Sequence, residues 1–331
     1  MRLVIDSDQH LFEYRGLWQE HIDPARRGDA IRFVDDALGH VRVMWRDTVL
    51  SVADVQTPGE TDAIGERRRR ERSGAPPLAR YDEILPRDYW DPAARRAKLA
   101  ALGVDEAVLF PNYGLVWERT LQADLASLTA NMAAWNRWCE TVVQEGRGRL
   151  HPVAHLTLRD PAWLEAQLAR LAAAGVRAAM IAPALVDGKP LSHPALACTD
   201  LILNGVLERH PDLRLGIVEL SAVWVPLYLM MLDGGGQFVR RLDGRDPKLS
   251  LRPSDYFKRQ IRVSSFAYEL PANLERQLAG ADLLMCCRGY PHSEGTAHPL
   301  ADYAAPGKYG VQPDNAPGLF RGNAEFLLRK T

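Results

Sequence analysis

Short β-rich apolar runs alternate with long helical patterns along most of this chain, an order that βα units around a parallel sheet accommodate. The first run is Leu3 to His10. From Pro92 onward the rhythm is regular: a helix to Leu102, the strand Ala107 to Pro111, a long helix from about Leu121 to Gln144, and the strand Leu150 to Leu158. Pro161 opens a helix over Trp163 to Ala174, Gly175 ends it, and Ala178 to Ala182 reads as the next strand. A helix near Thr199 to Glu208 precedes the strand Leu213 to Leu220, a helix to Leu232 and a loop at Gly234-Gly235-Gly236. The strand Ile261 to Phe266, the helix Pro271 to Leu278, the strand Asp282 to Gly289 and a closing helix from Pro317 to Leu328 complete the order.

That makes about seven core strands, where a TIM-type (β/α)8 barrel requires eight. Between Ala182 and Thr199 there is room only for a loop, so the expected architecture is a barrel lacking about one βα unit. Ile31 to Val34 and Val41 to Trp45 flank a turn and read as a hairpin insertion, part of an excursion spanning about residues 20–90. Within it, Glu66-Arg67-Arg68-Arg69-Arg70-Glu71-Arg72 suggests one helical turn, with its arginines on a solvated face rather than in a binding patch. With this insertion included, the chain is expected to form one barrel domain over residues 1–331.

Composition narrows the function classes. Forty-one basic residues against 42 acidic ones leave no surplus for a polyanion, so a nucleic-acid partner is disfavoured and a small-molecule substrate expected. The longest nearly apolar stretch, Leu220 to Leu232, carries Ser221 and Pro226 and falls short of the ~20 residues of a membrane span. Asp6 and Asp8 interrupt any signal-peptide core, so the expected compartment is the cytoplasm. Cys139, Cys198, Cys286 and Cys287 show no C-x-x-C spacing, which argues against a disulfide framework or a thiolate zinc site.

Candidate chemistry gathers at strand ends. The two-residue period puts Asp6, Asp8 and His10 on one face of the first strand, opposite Leu3 and Ile5. A carboxylate and an imidazole at i, i+2 on a rigid strand suit a divalent metal such as zinc or manganese. A local Asp-His hydrogen bond is the plainer alternative. Glu219 is in phase with Leu215 and Ile217, on the face expected to look inward, where it needs a metal or an arginine as partner. His292 lies in the polar loop after the last strand, where barrel enzymes place function. His155 reads as a satisfied structural histidine.

At Ile5-Asp6-Ser7-Asp8-Gln9-His10, at Glu208-Arg209-His210-Pro211-Asp212-Leu213-Arg214 leading to Val218-Glu219-Leu220, and at Tyr290-Pro291-His292-Ser293-Glu294-Gly295, the chain resembles the amidohydrolase-related branch of the amidohydrolase superfamily. This group contains aminocarboxymuconate-semialdehyde decarboxylase and resorcylate-type decarboxylases. The resemblance covers nearly the whole chain and implies a (β/α)8 barrel with a divalent metal acting on a small carboxylate. Asp8 and His10 match the first-strand ligand pair, Glu219 falls where relatives place a histidine or glutamate, and His292 matches a catalytic histidine.

The chain departs from that pattern twice. Arg288 and Gly289 stand where the family has Ser and Asp, so the ligand and general acid or base is absent. A fifth-strand metal-binding histidine is expected between His193 and Thr199, where the segment is too short to hold it. Strand alternation turns Arg288 away from the face of Gly289. An inward Arg288 would instead pair with Glu219 or Asp8 in place of a metal. The sequence therefore supports a metal-dependent hydrolase or decarboxylase with reduced competence, or a catalytically silent barrel scaffold that binds small molecules. Self-association into a homo-oligomer stays open.

Overall fold

A computed structural model describes residues 3–53, 55, 63–181, 194–243, 249–278, 280–292, 295, 298–305 and 311–329. The α/β architecture with parallel sheets is borne out. The chain divides into two compact units: residues 9–182 with 289–297, and residues 1–8 with 183–288 and 298–331.

The unit of residues 9–182 is built on a four-stranded sheet. Its order is β1 (Ile5–Leu11), β5 (Glu106–Pro111), β6 (Leu150–Leu156) and β7 (Ala178–Ile181). The β5–β6 and β6–β7 pairs are parallel, and β6 is buried along its whole length. Local chemistry sets the intervening helices. Asp91, Asp124 and Asp160 each accept a backbone N–H of the first turn, at 2.8, 2.9 and 3.0 Å, to open the helices Pro92–Ala101, Leu125–Gly146 and Pro161–Ala173. Helix Leu125–Gly146 ends where Arg147 and Gly148 turn left-handed.

The insertion is larger than its pattern suggests. β2 (Arg32–Asp35) and β3 (Val41–Trp45) form the expected antiparallel hairpin, and β4 (Thr48–Val52) adds a third strand. The arginine-rich run is an eleven-residue helix, Ala63–Ser73, rather than one turn. Glu66 bonds Arg69 and Arg70 along it, the i,i+3 and i,i+4 spacing that a helix brings into register. Asn131 fastens the insertion to the sheet unit. Its Oδ1 accepts the Ile31 N–H at 2.9 Å, and its Nδ2 donates to the Asp29 carbonyl at 2.8 Å and the Ser127 carbonyl at 2.9 Å.

The other unit carries three parallel strands in the order β10 (Leu284–Cys286), β9 (Ile261–Ser265), β8 (Leu215–Ile217). Tyr256, Phe257, Val263, Leu284 and Phe320 are among its fully buried core. The helix expected to stop at Leu232 continues from Val225 to Asp243, through the triglycine. Gly234 and Gly235 lie on its exposed side, so their cost of ~1 kcal/mol each is met by the packing of Leu229 and Leu232. Strands β8 and β10 are shorter than their apolar runs, with consequences for Glu219 and Arg288.

Seven strands thus belong to the two parallel sheets among the described residues, as the sequence rhythm implies. The segment where a further βα module is expected to be missing, residues 182–193, lies outside them. All four cysteines are buried and none is disulfide-bonded. No described helix is long and apolar enough to cross a membrane.

Replacing Asn131 with Ala removes three hydrogen bonds and strands the buried Ile31 N–H. The expected loss is about 1–3 kcal/mol in denaturant unfolding, while Asn131→Asp, which keeps the acceptor and loses the donor, falls between.

Candidate functional site

The C-terminal end of β1 carries its polar residues into the interior. His10 is 4% exposed, and its ring stacks on that of His292, with centroids 3.7 Å apart and planes inclined by 22°. Backbone pairing brings them together: the His10 N–H donates to the Tyr290 carbonyl at 2.7 Å, beside a parallel bridge between Gln9 and Tyr290. Phe12 meets His292 edge-on at 6.3 Å, and Phe110 lies 6.2 Å from His10. The candidate ligand nitrogens of the two histidines lie within 4.8 Å of each other.

Asn112, just past β5, bonds the pair from one side, its Oδ1 2.7 Å from His292 Nε2. An amide oxygen only accepts, so Nε2 carries the proton and Nδ1 keeps its lone pair in the neutral ring. Metal-binding histidines likewise tie one ring N–H to an acceptor, which fixes the tautomer and the ring's orientation. Arg95, fully buried, holds the strand end from behind. It donates to Gln9 Oε1 at 3.2 Å, the His10 carbonyl at 2.9 Å and the Asp88 carbonyl at 2.7 Å, with its guanidinium 5.0 Å from the Tyr290 ring centre.

Glu13 anchors the loop on which Asn112 sits. Both its carboxyl oxygens accept the Tyr113 N–H, at 2.9 and 3.1 Å, and the Tyr81 hydroxyl donates to its carbonyl at 3.1 Å. Burial pushes the Glu13 carboxyl up to about 8, against the pull of the Tyr113 amide and of His10. At neutral pH it therefore holds its proton. Sequence reading passed over Glu13, Asn112 and Arg95. Of the three, Asn112 had a signal, its position at the C-terminal end of a sheet strand.

In the other unit Arg288 is buried, contrary to the strand-alternation expectation. Strand β10 ends at Cys286, so alternation no longer governs residue 288. Arg288 turns inward and pairs with Asp6, Nε to Oδ2 3.7 Å, both side chains almost wholly excluded from solvent. Asp6 is thus one partner of the inward arginine, a residue the sequence expectation does not name. Asp8 is fully buried on β1, and its N–H donates to Asp6 Oδ1 at 3.2 Å. Gly289 has φ of +63° and contributes no side chain.

β8 stops at Ile217, and Glu219 lies two residues beyond it, exposed and in left-handed backbone with φ of +61°. The loop carrying it is fixed by Glu269, which sequence reading missed. That carboxylate accepts the Ser221 hydroxyl, the Ala222 N–H at 3.2 Å and the Phe266 N–H at 3.0 Å. His155, as expected, is structural, its Nε2 2.6 Å from Glu118 Oε2 in a buried pair.

The structure therefore brings His10 and His292 together in the unit of residues 9–182. As a donor set, two imidazoles with one fixed tautomer, together with carboxylates, fit a borderline divalent ion better than a hard one.

No protein-family model and no curated protein matches the chain. Solved structures do. An amidohydrolase from Mycobacterium avium subsp. paratuberculosis K-10 superposes with a TM-score of 0.76 at 19% identity, covering 98% of this chain and 99% of that one. The 5-carboxyvanillate decarboxylase of Sphingomonas paucimobilis matches at 0.55 and 18% identity over 99% of both chains. A dihydroxybenzoic acid decarboxylase from Polaromonas sp. JS666, solved with manganese and the inhibitor 2-nitroresorcinol, matches at 0.59 and 13% identity over 99% and 97%. At these identities the likeness establishes the fold.

Two outcomes test the local electrostatics. Glu13 binds a proton in the folded chain that the unfolded chain gives up above its ordinary 4.5, so its stabilisation is complete below that value and lost as pH rises through about 8. Glu13→Gln should remove that decline: thermal melts of wild type and variant diverge from pH 5 to 9, with the variant favoured at the alkaline end. Arg288→Met leaves Asp6 buried without its cation and should cost about 3–5 kcal/mol in denaturant unfolding, recovered in part by Asp6→Asn on the same chain.

Proposed function

We propose that the chain is an amidohydrolase-related protein that binds a divalent metal, zinc or manganese, through Asp8, His10 and Glu219, with His292 beside it as the catalytic histidine. The reaction class is hydrolysis or decarboxylation of a small carboxylated, aromatic compound. The observation that carries this reading is the stacked His10–His292 pair with its tautomer set by Asn112. It joins two of the three motifs on which the family resemblance rests, and the fold shared with an amidohydrolase and with aromatic acid decarboxylases supports it.

The metal, when bound, polarises a substrate carboxylate and lowers the pKa of a bound water. Asp8 and His10, two residues apart on one strand, present an oxygen and a nitrogen at a separation the backbone fixes. His292 holds its Nε2 proton against Asn112 and leaves Nδ1 to accept one from a reacting group. Phe12 and Phe110 shield the imidazoles from water and suit an aromatic substrate face.

Gly289 and Arg288 favour a second reading, a binding scaffold whose chemistry has been lost. The position that would supply a carboxylate for proton transfer is a glycine, and the neighbouring cation is committed to Asp6. Loss of a general acid or base alone costs about 10²–10⁴ in rate. The two readings share the metal and differ in turnover.

Elemental analysis after dialysis against zinc or manganese tests the shared part. Near-stoichiometric metal is expected in wild type, with affinity weakened by about 10–100-fold or more in His10→Ala and lost to a chelator. Metal-dependent turnover of small aromatic carboxylates should be weak or nil. Gly289→Asp, tolerable because Asp adopts left-handed backbone, should tighten metal binding without restoring full activity. A wild-type protein that takes up no metal overturns the reading, and robust turnover by it removes the scaffold alternative.

A further inference from the structure

The apolar stretch Leu220 to Leu232 is used by its own unit on one side only. Helix Val225–Asp243 buries Val225, Leu229 and Leu232 in the core. The opposite side, where a surface helix ordinarily carries charge, is apolar as well. Leu227, Met230 and Met231 are 62%, 74% and 65% exposed, Val223 in the turn before the helix is 56% exposed, and Gly234 and Gly235 continue the same side. Between Glu219 and Arg240 the sequence holds a single charge, Asp233. A contiguous apolar stripe of this kind marks a surface that another surface covers.

The shape of the stripe says what covers it. Leu227, Met230 and Gly234 follow the alternating three- and four-residue spacing of a coiled-coil seam, with Met231 beside it. The seam has knobs at one end and a notch at the other: a Cβ built on Gly234 or Gly235 meets no described atom within 4 Å beyond its chain neighbours and the helix backbone. When two copies of a helix pack antiparallel about a two-fold axis, residues equidistant from the axis on opposite sides face one another. An axis between Met230 and Met231 sets Leu227 of each copy against the notch at Gly234 of the other, and Met230 against Met231. The stripe is thus complementary to itself. It presents on the order of 500 Å² of accessible surface per copy, roughly 1,000 Å² for a pair, the size at which specific interfaces begin.

We infer that this stripe is the contact face of a homodimer, two copies of helix Val225–Asp243 packed antiparallel with Leu227 of each seated over Gly234 of the other. The core of such an interface is enriched in Met and depleted of charge, as this one is. A lipid surface fits less well, because a helix that lies on a membrane carries Lys and Arg beside its apolar face, and no basic residue falls between Glu219 and Arg240. The contact uses none of the residues of the His10–His292 site, so it stands apart from the reading of that site.

Sedimentation velocity of the full-length chain tests this, with a dimer expected at about 100 μM. Leu227→Lys places a charge in the seam twice, because the contact is symmetric, and should raise the dissociation constant at least about 100-fold. Gly234→Leu fills the notch and should also weaken the dimer. It removes a glycine from a helix, so at a dilution where wild type is monomeric its thermal midpoint should be no lower than that of wild type, which separates loss of contact from loss of fold. The register has its own readout: copies carrying Leu227→Cys mixed with copies carrying Gly234→Cys should form a disulfide with each other on mild oxidation, in preference to either variant with itself. A wild-type chain that is monomeric at that concentration, a dimer indifferent to both Leu227→Lys and Gly234→Leu, or a preference of each cysteine variant for itself overturns the proposal. Flotation of monomeric wild type with phosphatidylcholine–phosphatidylglycerol vesicles, lost in Leu227→Lys, also overturns it and gives the stripe to a membrane surface.

Discussion

A strand of sequence Ile-Asp-Ser-Asp-Gln-His-Leu, buried at every position, is the constraint to which both units answer. Five consecutive polar side chains inside a protein are tolerable only when the surrounding fold supplies partners, since each one left unsatisfied costs ~1–3 kcal/mol and a lone charge more. Asp6 takes Arg288, Ser7 bonds Ser264 and the Cys286 carbonyl, Gln9 takes Arg95, and His10 stacks on His292. Of the partners named, all but Arg95 come from the last quarter of the sequence. The final strand and the loop after it are thereby committed to β1 by polar interactions, which demand closer geometric agreement than apolar contact does.

Position 289 is a glycine and offers no carboxylate, and at position 288 the interior accepts a cation because Asp6 is there to neutralise it. The two positions bear on one charge balance: the buried acid on β1 has a side-chain counter-ion built into the chain.

The strand–helix rhythm was legible from residues alone, because period-2 and period-3.6 patterns, Asp caps and terminating glycines are local signals. His10 and His292 were each legible as candidates through their motifs, while their stacking on one another was not. Strand ends were not: apolar runs at 213–220 and 282–289 continue past the residues that pair, so the pleat stops before it can orient Arg288. Glu13 and Glu269 escaped notice because their roles lie in bonds to backbone amides far along the chain, which no spacing encodes. The triglycine misled for the opposite reason, a local helix-breaking signal outweighed by packing on the other helix face.

The cysteines have a use beyond their packing. Cys139 lies in the unit of residues 9–182, and Cys198, Cys286 and Cys287 in the other. All four are buried, and burial raises their thiols above the ordinary range, to about 12 for Cys198 and Cys286. A thiolate-seeking reagent therefore meets no reactive sulfur in the closed chain and modifies each one at the rate at which its surroundings open. The protein carries a native clock in each half, and mass spectrometry of alkylated peptides reads whether the halves breathe together or apart.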